Sequence, residues 1–508
     1  MTRLINADGR DVTAETIDIL RKVMAGGDLA KAETVTLGSG LVAYDLEAPA
    51  KNLYPVLTPL RNRIPRNVRG AGAGDAVHWK AVNSIAAGGV ASMPWIPEGQ
   101  RAARMSINTE DKSASYRTIG LETDVTFEAQ SAGSGFEDVM ATAGMRLLQQ
   151  AMMLEEYSIL GGNMSVSLGK PVTPVTAVVT DAASTLENDT YYVSVVPLTL
   201  EGYLAASLAG IVQEASITGM DAKTYTLNGG SGIVSDAKSQ AMGATGKALT
   251  AYTTAIKGAV AYAWFMGKTG AQKLEQITTI NSAYFDKVLG TGQALSDLTG
   301  AVDYSKNASH AFDGLLYAAF NSPLAYYVAQ ATGTAGTGTP LTSSGRGSIT
   351  EIDTMLAAFW NNYKLSPDEL YVNAQELNNI ITKVLYNSST APLVRFNLDV
   401  NQQSPTMVAG QTVGYYFNPF TVNGGQIIPI RLHPNLPPGT LFAWCQNLPA
   451  YYQSANVPQV AEVQCRRDYY QIPWPLHTRA NETGVYAEEV LKVYAPFALG
   501  VITNIGNG

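Results

Sequence analysis

SGFEDVMATAGMRLLQQAMMLEEYSILGGN, residues 134–163, is the stretch from which the fold of this chain can be read. Ser134 followed by Glu137 spells a capping box, in which each side chain satisfies a backbone N–H that the first helical turn leaves free. Glu137 and Asp138 add negative charge at the positive end of the helix dipole. Phe136, Met140, Ala143, Leu147, Ala151 and Leu154 recur every three or four residues, which draws one apolar stripe down a helix. Asp138, Thr142, Arg146 and Gln150 form a polar stripe at the same period. Gly161-Gly162-Asn163 predicts a left-handed stop. At 1.5 Å per residue, a helix from Gly135 to Leu160 is about 39 Å long. That length suits a brace for something extended. Glu155 and Glu156 are a misfit, because the negative end of the dipole disfavours carboxylates by about 0.3–1 kcal/mol each.

The flanks of this helix differ in character. The 508-residue chain is 46% hydrophobic but only 15% charged, so it has a small exposed surface or covers much of it with partners. Twenty-six tyrosines against twelve phenylalanines point the same way, since Tyr is enriched where a surface is apolar yet partly wet. A net charge of −8 argues against a dedicated nucleic-acid reader, though not against a local basic patch. The N-terminal residues carry no signal-peptide pattern, and no apolar run is long enough to span a membrane. Cys445 and Cys465 lack a metal-type spacing and read as reduced, buried thiols, a single disulfide between them being the other reading.

Residues 1–75 read as an arm, with a short amphipathic helix over Thr13–Met24. Arg61, Arg63, Arg66 and Arg69 crowd into PLRNRIPRNVRG. Three readings of them are open: pairing with carboxylates on a neighbouring subunit, contact with phosphate, or a solvated basic turn. The first would join these arginines to Glu155 and Glu156 of another copy. From Ala76 the pattern is β. AVHWKAV alternates, and Ile119, Leu121, Thr123, Val125 and Phe127 alternate cleanly against polar neighbours. The roughly thirty residues between read as one irregular connection, carrying Trp95 and Ile96 where an isolated loop would leave them wet.

The order WIPEGQRA, alternating strand, then a long capped helix ending EEYSILGGN resembles the major capsid proteins of tailed bacteriophages, which share the Hong Kong 97-like fold. In that family an E-loop often carries a Trp-x-x-Glu-Gly stretch, matched by Trp95 to Gly99, and its return strand leads into the spine helix of the peripheral (P) domain. The helix there commonly ends in Glu, an apolar pair and glycine, matched by Glu155 or Glu156 and Ile159-Leu160-Gly161. The resemblance implies an α+β chain: N-terminal arm 1–75, E-loop hairpin 76–127, spine helix 128–170, axial (A) domain 291–440, and P-domain strands returning to the A domain over 441–508. It also implies contacts between subunits through Trp95, Ile96 and Glu98. Some relatives crosslink an E-loop lysine; Lys112 lies in that region, but no partner asparagine can be named.

Residues 171–290 interrupt this plan. TYYVSVVPLTLEGY and YAWFMGKTG read as strands bounded by turns, the cadence of a β-sandwich. They resemble immunoglobulin-like and fibronectin type III modules without the Cys…Trp…Cys signature, so an autonomous inserted module on the outer surface is expected. Farther on, Ser348 with Glu351, and Asn373 with Glu376, predict the caps of two A-domain helices.

Catalytic patterns are missing. Gly267-Lys268-Thr269 would need a glycine at Tyr262 to make a P-loop. His78, His310, His433 and His477 have no ligand spacing. No cofactor is expected and no enzyme. The resemblance implies a virion protein assembled in a bacterial cytoplasm as hexamers and pentamers of an icosahedral head. Its implied partners are other copies, portal and scaffolding or decoration proteins, and packaged double-stranded DNA. Two rivals stand beside it: an encapsulin-like nanocompartment shell, and a carbohydrate-binding or adhesin protein built on the sandwich.

Overall fold

The computed structural model describes residues 57–69, 74–86, 95, 96, 98–101, 104, 106–133, 138–218, 223–344, 347–385, 414–422, 424–449, 459–476 and 478–507. The helix expected over Thr13–Met24 and the capping pair Ser134/Glu137 lie outside them.

The chain enters through a short strand, β1 (Arg66–Val68), then runs out and back along β2 (Ala76–Ala86) and β3 (Ser106–Ser115). Among the described residues these two pair only with each other, as an antiparallel ribbon with a bulge between Val82 and Ser84. The expected irregular connection is therefore shorter than the sequence suggested. SINTEDKSAS is a strand, and it shows no alternation because most of its residues are exposed. The alternating stretch after it, β4 (Arg117–Thr126), belongs to another sheet and is not the ribbon's return strand; Phe127 opens a short helix, α1 (Phe127–Gly133).

The spine helix, α2, spans Val139–Gly161, about 34 Å at 1.5 Å per residue. Asp138 caps it by accepting from Ala141 N, so it begins later than Gly135. Its buried face is Leu147, Ala151, Glu155, Glu156, Ile159 and Leu160, while Leu154 of the expected stripe is exposed. The stop is not left-handed either, for Gly162 has φ −57°. Glycine is required there by crowding: a Cβ on Gly162 would stand 2.5 Å from the Phe312 carbonyl oxygen, and one on Gly161 would strike Leu200.

After the helix come β5 (Val175–Thr180), β6 (Thr190–Leu198), α3 (Leu200–Ala205), β7 (Glu214–Thr218), β8 (Thr224–Asn228), β9 (Lys238–Ala241), β10 (Lys247–Tyr252), β11 (Ala261–Gly267), β12 (Lys273–Thr278) and β13 (Ser282–Phe285). They form a three-stranded sheet, β13-β10-β5, and a four-stranded sheet, β12-β11-β6-β9, with β7-β8 as a separate hairpin. Val193, Val195, Trp264 and Met266 from the larger sheet share one core with Leu249, Ala251, Ala283 and Phe285 from the smaller. Lys268 pairs with Glu187 and Asp189 at the module's surface.

The remaining elements are α4 (Leu315–Asn321), β14 (Tyr326–Ala329), α5 (Thr350–Tyr363), β15 (Glu369–Val372), α6 (Ala374–Leu385), β16 (Tyr415–Asn418), β17 (Gln426–Leu432), β18 (Leu441–Trp444), β19 (Ala461–Pro473), β20 (Ala480–Val493) and β21 (Leu499–Thr503). One sheet, β1-β19-β20-β4, lies against the spine helix through Leu147, Ala151 and Val485. The other, β14-β21-β18-β15-β17-β16, packs α5 and α6 on one face through Met355, Phe359 and Ile380. A single core joins the two sheets: Ile159 and Leu160 of the spine helix meet Val463 and Leu491 of the first and Tyr371, Phe442 and Trp444 of the second. Two expected caps differ. No side chain caps α5, whose N-cap is Ile349; Asn373 does cap α6, but Glu376 reaches past it to Gly439 N.

The two sheets formed between residues 175 and 285 are seated on this core and do not make a free-standing bead. Leu200 and Val260 join the same cluster as Ile159, Leu160 and Tyr317. The Tyr317 hydroxyl accepts from Leu200 N and donates to the Gly258 carbonyl. Asn281 and Asn504 exchange two hydrogen bonds, of 2.7 and 3.1 Å, and Asn504 adopts φ 61° to do so.

Candidate functional site

The two groups of residues singled out from the sequence, the arginine segment and the Trp95 stretch, are placed in opposite surroundings. Arg61 and Arg66 close on the spine helix of their own chain. Glu155 accepts from Arg61 Nε at 2.6 Å, from Arg66 and from the Tyr469 hydroxyl. Glu156 accepts from the backbone N–H groups of Leu60 and Arg61, at 2.9 and 2.7 Å. Its Oε1 also lies 2.7 Å from His433 Nε2. Because Asn435 N donates to His433 Nδ1, the imidazole is held with its proton on Nε2 and donates to Glu156. Both glutamates are fully buried.

The hub extends into both sheets. Arg63 pairs with Glu369 of β15, which also accepts from Arg431 Nε at 2.8 Å and from Tyr371 at 2.6 Å. Arg66 bridges further to Asp468 at 2.6 Å and Glu489 at 3.1 Å. Tyr469 lies beneath both guanidinium groups, 5.5 Å from Arg61 and 5.4 Å from Arg66. Burial pushes Glu489 up, against the opposing pull of Arg66. Burial likewise pushes the Cys465 thiol up to about 12, so this cysteine is a packed thiol and no nucleophile. Cys445 is buried and free as well, which removes the disulfide reading.

The expected salt link is therefore present in kind but not in place. Arg61 and Arg66 meet Glu155, yet within one chain, so the proposed clasp between subunits is corrected to an internal one. The physical reason is burial: a carboxylate pair at a helix end, cut off from water, must be satisfied locally. Arg63 is committed to Glu369. Arg69 remains exposed at the end of β1, its backbone N–H bonded to Cys465 O. The sequence gives no sign of Glu369, His433, Glu489 or Tyr469 in this hub, since they come from strands and turns several hundred residues away.

Trp95 is 88% exposed and Ile96 51%, with Glu98 exposed beside them. Lys112, in the outgoing ribbon, pairs with Glu110 at 2.5 Å. A second exposed apolar group lies on the edge of the six-stranded sheet, where Tyr415 and Phe417 of β16 stand opposite Pro429 and Ile427 of β17. Among the described residues no group of His, Cys, Asp and Glu is arranged to hold a metal ion, and no helix is long and apolar enough to cross a membrane.

No family model matches the chain, and no curated protein matches it in sequence. Solved structures similar to it include the capsid of a native GTA particle, at 8% identity and a TM-score of 0.41, covering 93% of this chain and 98% of that one. The capsid of Myoviridae phage XM1 is similar at 10% identity and a TM-score of 0.40, covering 94% and 100%. The holo-SrpI encapsulin complex from Synechococcus elongatus PCC 7942 is similar at 10% identity and a TM-score of 0.36, covering 90% and 93%.

Proposed function

We propose that this chain is the repeating subunit of a protein shell: the major capsid protein of a tailed bacteriophage, assembling as hexamers and pentamers into the icosahedral head around double-stranded DNA. The observation that carries this reading is the ribbon β2-β3. Among the described residues it pairs with no other sheet, and Trp95 and Ile96, which lie between its strands, are exposed. Exposed apolar side chains of this kind suit contact with another molecule. The rest of the architecture supports the same reading. A helix is pinned across one sheet, a second sheet shares its core, and a module is set rigidly on both, as suits a unit that must keep its shape in a lattice.

The subunit's role is structural and non-enzymatic in this reading, and its place is the virion. Portal and scaffolding or decoration proteins are its further partners. Contact with packaged DNA falls to groups other than Arg61, Arg63 and Arg66, whose charges are already paired. Negative-stain microscopy of the chain expressed alone tests the proposal. Closed shells, tubes or ring-shaped capsomers are expected, and a chain that stays monomeric at high concentration overturns it. Shells that carry a protein cargo and exclude nucleic acid would move the assignment to a nanocompartment.

A further inference from the structure

A cavity of about 630 Å³ opens on the inserted module. It lies between the end of α3, strands β12 and β13, and residues 286–289. Its lining is partly apolar, through Tyr203, Leu204, Leu208, Phe285 and Leu289, and partly polar. Three of these stand unusually far into water, with Leu208 54% exposed, Leu204 46% and Leu289 42%. Glu275 and Asp286 line it too, against one lysine, Lys287. Glu275 is held in place by the backbone N–H groups of Leu289 and Gly290. A partly apolar socket with acid at its wall fits an apolar side chain that has cationic neighbours.

The chain itself carries one. Trp95 and Ile96 stand in water, and Arg101 and Arg104 follow them against a single acid, Glu98. The tip's exposure shows that it does not fill the socket of its own chain. We propose that the Trp95 tip of one copy docks in the module socket of a second copy, with Trp95 as the buried anchor and Arg101 and Arg104 facing Asp286. This rests on the shell reading above and gives it a specific receptor surface. The contact is head-to-tail, since tip and socket are different surfaces. Repeated, it closes a ring if the rotation between copies allows and otherwise extends. The size of the cavity suits the purpose, being roomy for one indole with its neighbouring aliphatic chain.

The test uses the full-length chain and two exposed substitutions that leave the core alone. Leu208→Arg places a cation in the socket wall, and Trp95→Ala removes the anchor. A labelled peptide of residues 92–104 is titrated against the Trp95→Ala chain, whose socket is intact, and read by fluorescence anisotropy. Saturable binding is expected, weakened about thirtyfold when the chain also carries Leu208→Arg, the loss typical of a disrupted anchor. Loss of assembly is expected for either substitution alone. If Trp95→Ala blocks assembly while Leu208→Arg assembles and binds peptide as the parent does, the tip docks elsewhere; the proposal falls and the shell reading stands. A parent chain that never assembles overturns the shell reading, and the peptide titration then decides the socket by itself. Circular dichroism of both variants checks that each is folded.

Discussion

Two regions of this molecule reverse the usual distribution of residue types. At the end of the spine helix two glutamates are fully buried, and between the strands of the ribbon a tryptophan is 88% exposed. Charged residues are almost never fully buried unless paired, and large aromatic residues are seldom left in water. The buried glutamates have every need met inside the chain, by Arg61, Arg66, Tyr469, His433 and two backbone N–H groups. The tryptophan has none of its needs met. A residue satisfied at home tells of folding, and one left in water is open to a partner. The charged segment that looked outward in the sequence is the inward one.

Three substitutions can break or sharpen this contrast. The largest effect belongs to Glu156→Ala, which leaves Leu60 N, Arg61 N and His433 Nε2 without their acceptor in a site closed to water. A loss of about 3–5 kcal/mol is expected in urea unfolding of the unassembled chain. A loss below about 1 kcal/mol would mean that water reaches the hub and that the contrast is false. Next is Glu489→Gln, a change in pH dependence. The folded pKa of Glu489 is raised by burial, so the native chain holds this proton more tightly than the unfolded one. Stability from this group is present below its ordinary value of 4.5 and is lost as pH rises through the folded value. The Gln variant lacks that decline. Asp468 has the opposite sign: burial pushes it up, but Arg66 and the Tyr469 N–H outweigh that and hold it down. Its contribution, lost on acidification, is kept in both chains. Parallel stability–pH curves for parent and variant would refute the assignment. The smallest effect on folding is that of Trp95→Ala, within about 0.5 kcal/mol in the same measurement. A large drop would make Trp95 a core residue.

The same contrast explains what could be read in advance. Strand β4 was legible because it is half-buried, with Val125 inward and its neighbours outward. The spine helix was legible from its period, although its start moved to the Asp138 cap and its glycines proved to serve close packing. Strand β3 was not legible. Most residues of SINTEDKSAS are exposed, and alternation is a record of burial. The module's larger sheet could be seen from YYVSVV and AYAWFM, but not its seat, which depends on residues as far apart as Asn281 and Asn504. The hub was half visible: the misfit of Glu155 and Glu156 pointed to basic partners, and the arginine cluster at 61–69 supplied them. Which copy they belonged to could not be read from a linear sequence.

The seat of the module also sets a timetable. Asn281 bonds to Asn504, 223 positions later, and Ile505 N, Gly506 N and Asn507 N bond to Gly439, Thr339 and Thr337. At about 5–20 residues per second, a ribosome needs roughly 10–45 s to pass from one asparagine to the other. Through that interval the module can close its own sheets but has no finished cradle to rest in. A nascent chain therefore lacks the finished seat until synthesis has passed Asn504.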